Sequence, residues 1–365
     1  MKAPKVIISG GGTGGHIYPA IAIANALKEI NPAIEVLFVG AEGKMEMEKV
    51  PKAGYPIIGL PIAGINRSSL VANFSFPQKL IKSYSKAKGI LEDFKPDVAV
   101  GVGGYASGPL LLAASMNGVP FLIQEQNSYA GVTNKFLSKS AKKICVAYPN
   151  MDTFFAKEKI LMTGNPVRKD ILEVASKRSQ ALAHFGLSAD KKTVLVIGGS
   201  QGARTINEAI DGGLTSLVNA GYQVVWQTGK LYIDRAKTAA EIFKGQVYVS
   251  DFIYEMDLAY AVADVVVSRA GALSVSEICL AAKPAILVPL PTAAEDHQTQ
   301  NAMSLVNCKA AVLVKDKDAR EELVKETITL LQDADLQYIL SQNIKQLAKP
   351  DAAREIAEQV LKLVK

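Results

Sequence analysis

A glycine-rich stretch near the N terminus has the residue types of a phosphate-binding loop and ends in a titratable side chain. Gly10 to His16 reads Gly-Gly-Gly-Thr-Gly-Gly-His, directly after the apolar run Lys5–Ser9 and before a helical pattern at Tyr18–Glu29. Glycines let the backbone turn sharply and approach a phosphate, and the N–H groups of a following helix favour an anion. His16, one of three histidines, could take a proton near neutral pH. The stretch predicts an anion-binding loop with a candidate catalytic base.

Two later segments repeat this order of strand, glycine turn and helix. Residues 193–207 read TVLVIGGSQGARTIN and offer backbone N–H groups with the Ser200 hydroxyl. Residues 268–277 read SRAGALSVSE and place Glu277 in the first turns of a helix, where its carboxyl could accept from two ribose hydroxyls. The alternative is a favourable charge near a helix N terminus. Together the loops predict a cleft between two domains that holds a diphosphate-bearing sugar substrate.

The elements that must position these loops are short β-branched runs alternating with helical patterns. Continuous apolar strands separated by helices are typical of parallel sheets covered on both faces, which predicts a doubly wound α/β fold. The predicted strands are Lys5–Ser9, Glu35–Val39, Val98–Val102, Phe121–Gln124, Lys143–Val146, Thr193–Ile197, Gln223–Gln227, Val247–Val249, Val265–Ser268, Ala285–Val288 and Ala311–Val314.

Length predicts two domains. The chain has 365 residues, beyond the roughly 250–300 at which single cores stop growing. Thr163 to Arg168 is turn-rich and suits a linker. We predict an N-terminal domain over 1–165, a C-terminal domain over 166–349, and a final helix at about 350–365 that could pack on either domain, including back on the first.

Composition excludes several classes of protein. With 49% hydrophobic and 21% charged residues the chain is an ordinary globular protein, and its net charge of +6 is too small and dispersed to predict nucleic-acid binding. The N terminus lacks the apolar core of a signal peptide, and breakers interrupt every long apolar run, so we expect a cytoplasmic protein, at most docked on a membrane.

Cysteines and acidic triplets give no indication of a metal site. The cysteines, Cys145, Cys279 and Cys308, form no paired motif, and we expect all of them to be buried. Two DxD-like triplets, Asp316–Asp318 and Asp333–Asp335, fall in charged segments that we expect to be exposed and distant from the glycine loops. No cofactor and no metal are expected.

A dinucleotide-binding enzyme is one alternative. Gly10, Gly12 and Gly15 satisfy the pattern G-x-G-x-x-G, but the second strand ends Val39-Gly40-Ala41 without the acidic residue that holds a ribose.

Six blocks identify a family more specifically. They are GGGTGGHIYPA (10–20), GVGGYASGP (101–109), EQNSYAGVTNK (125–135), GNPVR (164–168), GGSQGARTIN (198–207) and SRAGALSVSE (268–277). In this order, over nearly the full length, they resemble the MurG family of bacterial peptidoglycan glycosyltransferases (glycosyltransferase family 28). The resemblance implies a GT-B fold of two Rossmann-like domains. It implies an inverting hexosyltransferase that moves N-acetylglucosamine from UDP-N-acetylglucosamine to the 4-hydroxyl of the muramyl sugar of lipid I, giving lipid II.

The resemblance also implies roles for individual residues. Gly104 and Tyr105 match the acceptor side, and His16 is the candidate base. The positions that match donor contacts are Thr13, Gly14, Gly15, Asn127, Arg168, Ser200, Ile253, Ala272, Leu273, Ser274, Val275, Ser276, Glu277 and Gln298. Within the polar cluster at 295–302, His297 and Gln300 are alternatives to Gln298 for the sugar contact.

A lipid-linked acceptor, undecaprenyl-diphosphate-linked muramyl-pentapeptide, implies a membrane-facing surface. Leu70–Phe94, preceded by Arg67, mixes apolar side chains with lysines and suits an anchor on anionic lipid. The alternative is an ordinary amphipathic helix that covers the sheet. The family implies a peripheral position on the cytoplasmic face of the inner membrane and cell-wall synthesis proteins as partners. A UDP-N-acetylglucosamine 2-epimerase and a non-catalytic nucleotide-binding protein remain the rival functions.

Overall fold

The computed structural model describes residues 3–64, 76–199, 201–293 and 296–364. The chain divides into two compact units: Met1–Arg168 together with Asp351–Lys365, and Lys169–Pro350. The prediction had placed the boundary between residues 165 and 166, and the C-terminal helix lies in the first unit.

The first unit is built on a parallel sheet with, in the described part of the chain, seven strands. They are β1 (Lys5–Gly10), β2 (Glu35–Ala41), β3 (Ile57–Leu60), β4 (Val98–Gly103), β5 (Phe121–Glu125), β6 (Lys143–Val146) and β7 (Ile160–Met162). Their order is β3-β2-β1-β4-β5-β6-β7. The sequence prediction missed β3 and β7. Both are edge strands of only four and three residues, and apolar runs that short do not distinguish a strand from other buried segments.

Helices cover both faces of this sheet. On β1, Ile7 belongs to one buried cluster while Val6 and Ile8 belong to the other, because successive side chains of a strand point to opposite faces. The helices are α1 (Gly14–Ile30), α2 (Glu46–Lys52), α3 (Phe76–Phe94), α4 (Ser107–Met116), α5 (Val132–Leu137) and the last helix of the chain, α14 (Ala352–Leu361). Helix α14 packs on α1 and buries Ile356 and Val360 there.

The second unit repeats this architecture with a sheet that has six strands among the described residues. These are β8 (Thr193–Ile197), β9 (Gln223–Gln227), β10 (Val247–Ser250), β11 (Val265–Ser268), β12 (Ala285–Leu287) and β13 (Val312–Leu313), in the order β10-β9-β8-β11-β12-β13 and all parallel. The helices are α6 (Arg178–Phe185), α7 (Arg204–Asn219), α8 (Ile233–Ala240), α9 (Met256–Val262), α10 (Ala272–Ala281), α11 (His297–Val306), α12 (Ala319–Gln332) and α13 (Ala334–Gln346).

Each sheet has one point where the strand order reverses direction. In the first unit it lies between β1 and β4, and in the second between β8 and β11. Loops that leave the carboxyl ends of strands on either side of such a point diverge and leave a crevice, where ligands bind in open α/β sheets. The glycine motifs found in the sequence follow β1, β8 and β11, so the topology places them at these two crevices.

Two of the three cysteines are buried. The prediction of buried cysteines is correct for Cys145 and Cys279 and wrong for Cys308, which is exposed in the turn after α11. Among the described residues, none of the helices has the length and apolar character needed to cross a membrane.

Candidate active site

The first glycine loop leaves the sheet at the end of β1 and leads directly into α1. Gly12 has a φ of 85°, in the left-handed region that favours glycine. A Cβ on Gly11 would overlap the carboxyl group of Glu46, so only a glycine fits there. Thr13 is extended and starts α1 without capping it through its side chain. The loop therefore presents the first-turn N–H groups of α1, at Gly14 and Gly15, at the crevice.

His16 is half-buried in the first turn of α1, and its ring is oriented by the loop itself. Its Nδ1 lies 3.1 Å from the carbonyl oxygen of Gly11 and 3.4 Å from the Thr13 hydroxyl. A carbonyl oxygen can only accept, so Nδ1 carries the proton of the neutral ring and Nε2 carries the lone pair. Nε2 lies against Gly103, where an added Cβ would come within 2.8 Å. This is the tautomer that a general base acting through Nε2 requires.

The end of β4 lies beside this loop. Gly103 and Gly104 have φ values of 100° and 89°, and a Cβ on Gly104 would overlap the backbone of Gly11. The Ser107 hydroxyl contacts the carbonyl oxygens of Ser9 (3.0 Å) and Gly103 (2.8 Å), which ties the two strand ends together. The ring of Tyr105 lies against Gly12 and is about half exposed. The two predicted acceptor-side residues thus adjoin the predicted base.

The end of β5 is organised by a buried carboxyl group that the sequence analysis did not single out. Glu125 accepts hydrogen bonds from the backbone N–H of Asn127 (3.1 Å), the N–H of Gly131 (3.0 Å) and the side-chain amide of Asn134 (2.8 Å). Burial raises the pKa of Glu125, and these three donors oppose that rise. Glu125 therefore fixes the turn that carries Asn127. The available signal was an acidic residue directly after a buried strand.

The GNPVR block is held against the same strand end. Asn165 accepts from the Gln124 amide (2.9 Å) and donates to the carbonyl oxygen of Gln126 (3.0 Å). Three residues further on, the Arg168 guanidinium lies 5.7 Å from the ring centroid of Tyr18 on α1. The predicted donor residue Arg168 is thereby brought to the start of α1.

In the second unit, the side chain of Gln227 connects the glycine loop after β8 to Ile253, a predicted donor contact. Its side-chain amide donates to the carbonyl oxygen of Gly199 (3.1 Å) and accepts from the backbone N–H of Ile253 (2.9 Å). Ile253 is buried, so a ligand would meet its backbone rather than its side chain. Gly202, with a φ of 77°, lets the loop pass close to the carbonyl group of Thr228. Ser200, the predicted loop contact, lies outside the described residues.

The start of α10 has the features of an anion site beside a carboxylate. Gly271 precedes the helix and has no side chain to cap it, and the helix N terminus, formed by Ala272, Leu273 and Ser274, carries the partial positive charge that favours an anion. Glu277, one turn further, accepts from the Tyr260 hydroxyl (3.2 Å).

Two other side chains of the 268–277 block make contacts within the protein. Val275 is 2% exposed, so its side chain belongs to the core. The Ser276 hydroxyl donates to the carbonyl oxygen of Ala272 (2.9 Å) within the helix. These two side chains therefore support α10 itself.

The residues of the polar cluster after β12 differ in their hydrogen bonds and in their exposure to solvent. The Gln298 carbonyl oxygen accepts from the backbone N–H of Leu290 (3.0 Å), and the Asn301 amide donates to the carbonyl oxygen of Ala270 (3.2 Å). His297 is half-buried and Gln300 is exposed. Gln298 is thus held at the strand end, while part of the cluster, 294–295, lies outside the described residues.

The first acidic triplet, Asp316–Asp318, is less exposed than predicted. Asp316 is partly buried and accepts from the Arg269 guanidinium (2.5 Å) and the Thr205 hydroxyl (3.2 Å). Arg269 also donates to the carbonyl oxygens of Val288 and Pro289. The expectation that residues 316–318 are exposed and distant from the glycine loops is wrong for Asp316, because this carboxyl neutralises an arginine buried at the end of β11. Among the described residues, no group of three or more His, Cys, Asp or Glu could hold a metal ion.

Comparisons with known proteins agree with this arrangement. The Glycosyltransferase family 28 N-terminal domain matches residues 6–146, and the Glycosyltransferase family 28 C-terminal domain matches residues 193–360. A relative from Parabacteroides distasonis is 54% identical over 365 residues, covering 100% of this chain and 99% of its own. The chain belongs to glycosyltransferase family 28.

Other members of the family give the same result. The Parabacteroides relative is named UDP-N-acetylglucosamine–N-acetylmuramyl-(pentapeptide) pyrophosphoryl-undecaprenol N-acetylglucosamine transferase, and so is a 55% identical relative from Bacteroides fragilis that covers 99% of this chain and 96% of its own. The crystal structure of MurG from Acinetobacter baumannii superposes with a TM-score of 0.77 at 29% identity, covering 98% of this chain and 99% of that one. A UDP-N-acetylglucosamine 2-epimerase from Neisseria meningitidis, with a TM-score of 0.68 and 17% identity over 98% of this chain and 100% of its own, shares the fold alone. The predicted GT-B fold of two Rossmann-like parallel-sheet domains is confirmed.

Within this family-28 chain, the predicted residues lie in the segments that follow the carboxyl ends of the parallel strands in each unit. In the first unit they are Thr13, Gly14, Gly15, His16, Gly104, Tyr105, Asn127 and Arg168. In the second they are Ile253, Ala272–Glu277 and Gln298. The first group includes an imidazole and a helix N terminus, and the second includes a helix N terminus and a carboxyl group.

Proposed function

We propose that this chain transfers N-acetylglucosamine from UDP-N-acetylglucosamine to undecaprenyl-diphosphate-linked muramyl-pentapeptide (lipid I), producing lipid II for peptidoglycan synthesis. The observation that carries this proposal is the similarity along the whole chain, at 54% identity, to an enzyme named for that reaction. The site supports it, because both units place ligand-binding groups at their sheet switch points.

His16 is the base in the proposed reaction. The muramyl 4-hydroxyl attacks the anomeric carbon of N-acetylglucosamine and inverts it, the bond from that carbon to the diphosphate oxygen breaks, and UDP leaves with the electron pair. The hydroxyl proton passes to Nε2 of His16. Nε2 carries the lone pair of the neutral ring because Nδ1 donates its proton to the carbonyl oxygen of Gly11. Tyr105, beside the same loop, borders the acceptor.

The second unit holds the donor. Negative charge grows on the departing diphosphate, and the N terminus of α10 stabilises it with preorganised N–H groups. Glu277 accepts from the ribose hydroxyls, and the backbone of Ile253 meets the uracil. With these donors in place the reaction requires no metal ion.

The test is acceptor-dependent release of UDP. The purified chain is incubated with UDP-N-acetylglucosamine and a lipid I analogue, and both UDP and the disaccharide product are measured. We expect UDP release only when the acceptor is present, and the same rate in EDTA. Release without acceptor, or recovery of an epimerised sugar, would replace the transferase with the epimerase function.

The lipid-linked acceptor leads to a second part of the proposal, a membrane-facing surface on α3. One face of α3 packs into the core through Ala87, Ile90 and Leu91. Nearer the start of the helix Leu80 and Ile81 are 37% and 69% exposed, although Leu80, seven residues before Ala87, continues the same face. The later turns of α3 therefore cover the sheet, and apolar side chains remain exposed in its earlier turns. Residues 65–75, including Arg67, Leu70 and Phe74 of the candidate stretch, lie outside the described residues.

Charge on the outer face of α3 supports anionic lipid as the partner. Lys79 and Lys82 flank Leu80 and Ile81 and are exposed, whereas Lys86 is paired with Glu42. Each lysine near an anionic surface contributes about 1 kcal/mol. We propose that the chain sits peripherally on the cytoplasmic face of the membrane through this surface.

Vesicle sedimentation tests the surface. Ile81→Glu should reduce binding to anionic vesicles roughly 10- to 150-fold, because burying one large apolar side chain contributes roughly 1.5–3 kcal/mol. Leu231→Glu, which changes a 97% exposed leucine of the second unit, is the matched control and should bind as wild type does. Binding that ignores salt and anionic lipid content would exclude this surface as the anchor.

A further inference from the structure

A buried carboxyl group lies directly behind the first glycine loop. Glu46, the first residue of α2, is only 1% exposed. Its Oε1 accepts from the backbone N–H of Ala41 (3.0 Å), and its Oε2 accepts from the backbone N–H of Gly12 (2.9 Å). Among the described residues no lysine or arginine forms an ion pair with it. Its oxygens are instead satisfied by two backbone amides, one at the end of β2 and one in the loop.

The Gly12 N–H belongs to the same peptide unit as the Gly11 carbonyl. That carbonyl oxygen accepts from Nδ1 of His16 (3.1 Å). One peptide therefore carries the Glu46 carboxyl on its N–H side and the His16 ring on its C=O side. In a trans peptide these two groups point in opposite directions, so the three groups form a continuous hydrogen-bonded chain.

Close packing holds this peptide in place. A Cβ on Gly11 would overlap the Glu46 carboxyl, and a Cβ on Gly40 would come within 2.6 Å of the Glu46 side chain. On the opposite side, a Cβ on Gly104 would overlap the Gly11 backbone. The Gly11 N–H adds a hydrogen bond to the carbonyl oxygen of Gly103 (3.3 Å). The peptide is thus confined between the carboxyl group and β4, and its carbonyl has one direction in which to point.

We propose that Glu46 is a positioning residue for His16 and acts through the Gly11–Gly12 peptide. Negative charge at the N–H end of a peptide polarises it, which makes its carbonyl oxygen a stronger acceptor. The stronger acceptor holds the His16 ring with its proton on Nδ1 and stabilises the imidazolium that forms when Nε2 takes a proton. In Ser-His-Asp triads a carboxylate does this by direct contact with Nδ1; here one peptide stands between the two groups.

The inference rests on the proposed function, because it requires His16 to act as the general base. Other titratable groups adjoin the loop. Tyr105 lies against Gly12, and the Tyr18 ring, overlain by the Arg168 guanidinium, follows on α1. The test must therefore isolate Glu46 from them.

The experiment compares Glu46→Gln with a matched control, Glu48→Gln. Glu48 lies on the same helix, is exposed, and pairs with Lys52 instead of the loop. The chain has three histidines, so NMR with labelled histidine follows the titration of His16 with the other two rings as internal references. Loss of the charge should lower the pKa of His16 by about one unit, as expected for a charge several ångströms away at an intermediate dielectric. Glu48→Gln should leave it unchanged.

Activity provides a second readout. In Glu46→Gln the acidic limb of the kcat profile should move to lower pH together with the His16 titration, and kcat should fall about 3- to 30-fold while the KM for UDP-N-acetylglucosamine stays constant. Glu46→Asp keeps the charge and should restore the position of the limb. A folded Glu46→Gln protein with an unshifted His16 titration would reduce Glu46 to a structural role and overturn the inference.

Two outcomes separate the possible failures. If Glu46→Gln does not fold, NMR of the wild-type protein is used to determine the tautomer of neutral His16. A proton on Nδ1 supports the hydrogen-bonded chain from Glu46 to His16, and a proton on Nε2 refutes it. If His16→Ala keeps wild-type turnover, the base assignment in the proposed function fails, while the NMR titration still reports whether Glu46 is coupled to His16.

Discussion

Replacing Glu277 tests whether the second unit holds the ribose of the donor. The carboxyl group lies one turn into α10 and accepts from the Tyr260 hydroxyl (3.2 Å). Hydrogen bonds to a charged group contribute about 1.5–3 kcal/mol. Since 1.4 kcal/mol is a factor of ten in affinity, Glu277→Ala should weaken UDP binding roughly 10- to 150-fold.

The smaller effect of Tyr260 gives a graded comparison. Tyr260→Phe removes a neutral hydroxyl that orients the carboxyl group and does not itself reach the ligand in this proposal. Tyr260 acts on the ligand only by orienting Glu277, so we expect a loss of about 0.5–1.5 kcal/mol, smaller than the loss of the ribose contact itself, and a fall in UDP affinity of about 2- to 12-fold. An exposed carboxyl on α12 of the same unit, changed in Glu326→Gln, is the control and should bind as wild type does.

The assay is titration calorimetry with UDP and with its 2′-deoxy analogue. Wild-type protein should bind the deoxy analogue more weakly, because the analogue lacks one of the two ribose hydroxyls that donate to Glu277. In Glu277→Ala this difference between the ligands should disappear. If the alanine variant still discriminates between the two ligands as strongly as wild type, then Glu277 does not hold the ribose and the reasoning is refuted.

Three further predictions address the base, the buried ion pair and the cysteines. His16→Ala should lower kcat about 10²- to 10⁴-fold, as loss of a general base does, while calorimetry still detects UDP binding; near wild-type turnover would remove His16 from the mechanism. Asp316→Asn should lower the free energy of unfolding by about 3–5 kcal/mol in a denaturant titration, because it leaves the buried Arg269 charge without its counter-ion; an unchanged midpoint would contradict this. A thiol reagent should label the native chain once, at the exposed Cys308, and three times after unfolding. Burial explains the difference, since it raises the pKa of Cys145 to about 12; rapid labelling of Cys145 in the native protein would show that its surroundings open.

Much of the fold could be predicted because the main strands are continuous apolar runs. The five residues Thr193–Ile197, for example, were predicted with the bounds that the structure shows. The edge strands β3 and β7 were missed because they have only four and three residues, and an apolar run that short does not by itself indicate a strand. The exposure of Cys308 was missed for a related reason: an apolar neighbourhood in the sequence does not fix which side of a turn faces the solvent.

At the strand ends that form the site, some residues could be predicted from the sequence and others could not. The glycine loop, His16 and Glu277 were all singled out, because unusual residue types stand at predictable places after buried strands. Glu125 and Arg269, which hold the loops, were not singled out as supporting groups. The partner of Arg269, Asp316, lies 47 residues further along the chain. The partners of Glu125 follow it within nine residues, but the sequence does not show that the side chain folds back into the turn that follows its own strand.

The sequence by itself determined the alternation of strands and helices, the glycine turns, and the family to which their order belongs. These depend on local conformational preference and on apolar periodicity, which short windows of sequence carry. Only the tertiary structure decided that the carboxyl group of Glu46 and the ring of His16 meet the two ends of one peptide, 34 residues from Glu46 to Gly12. The physical reason is that a hydrogen bond requires a distance and a direction in space, and parallel strand pairing, through β1, β2 and β4, is what brings such distant residues within reach.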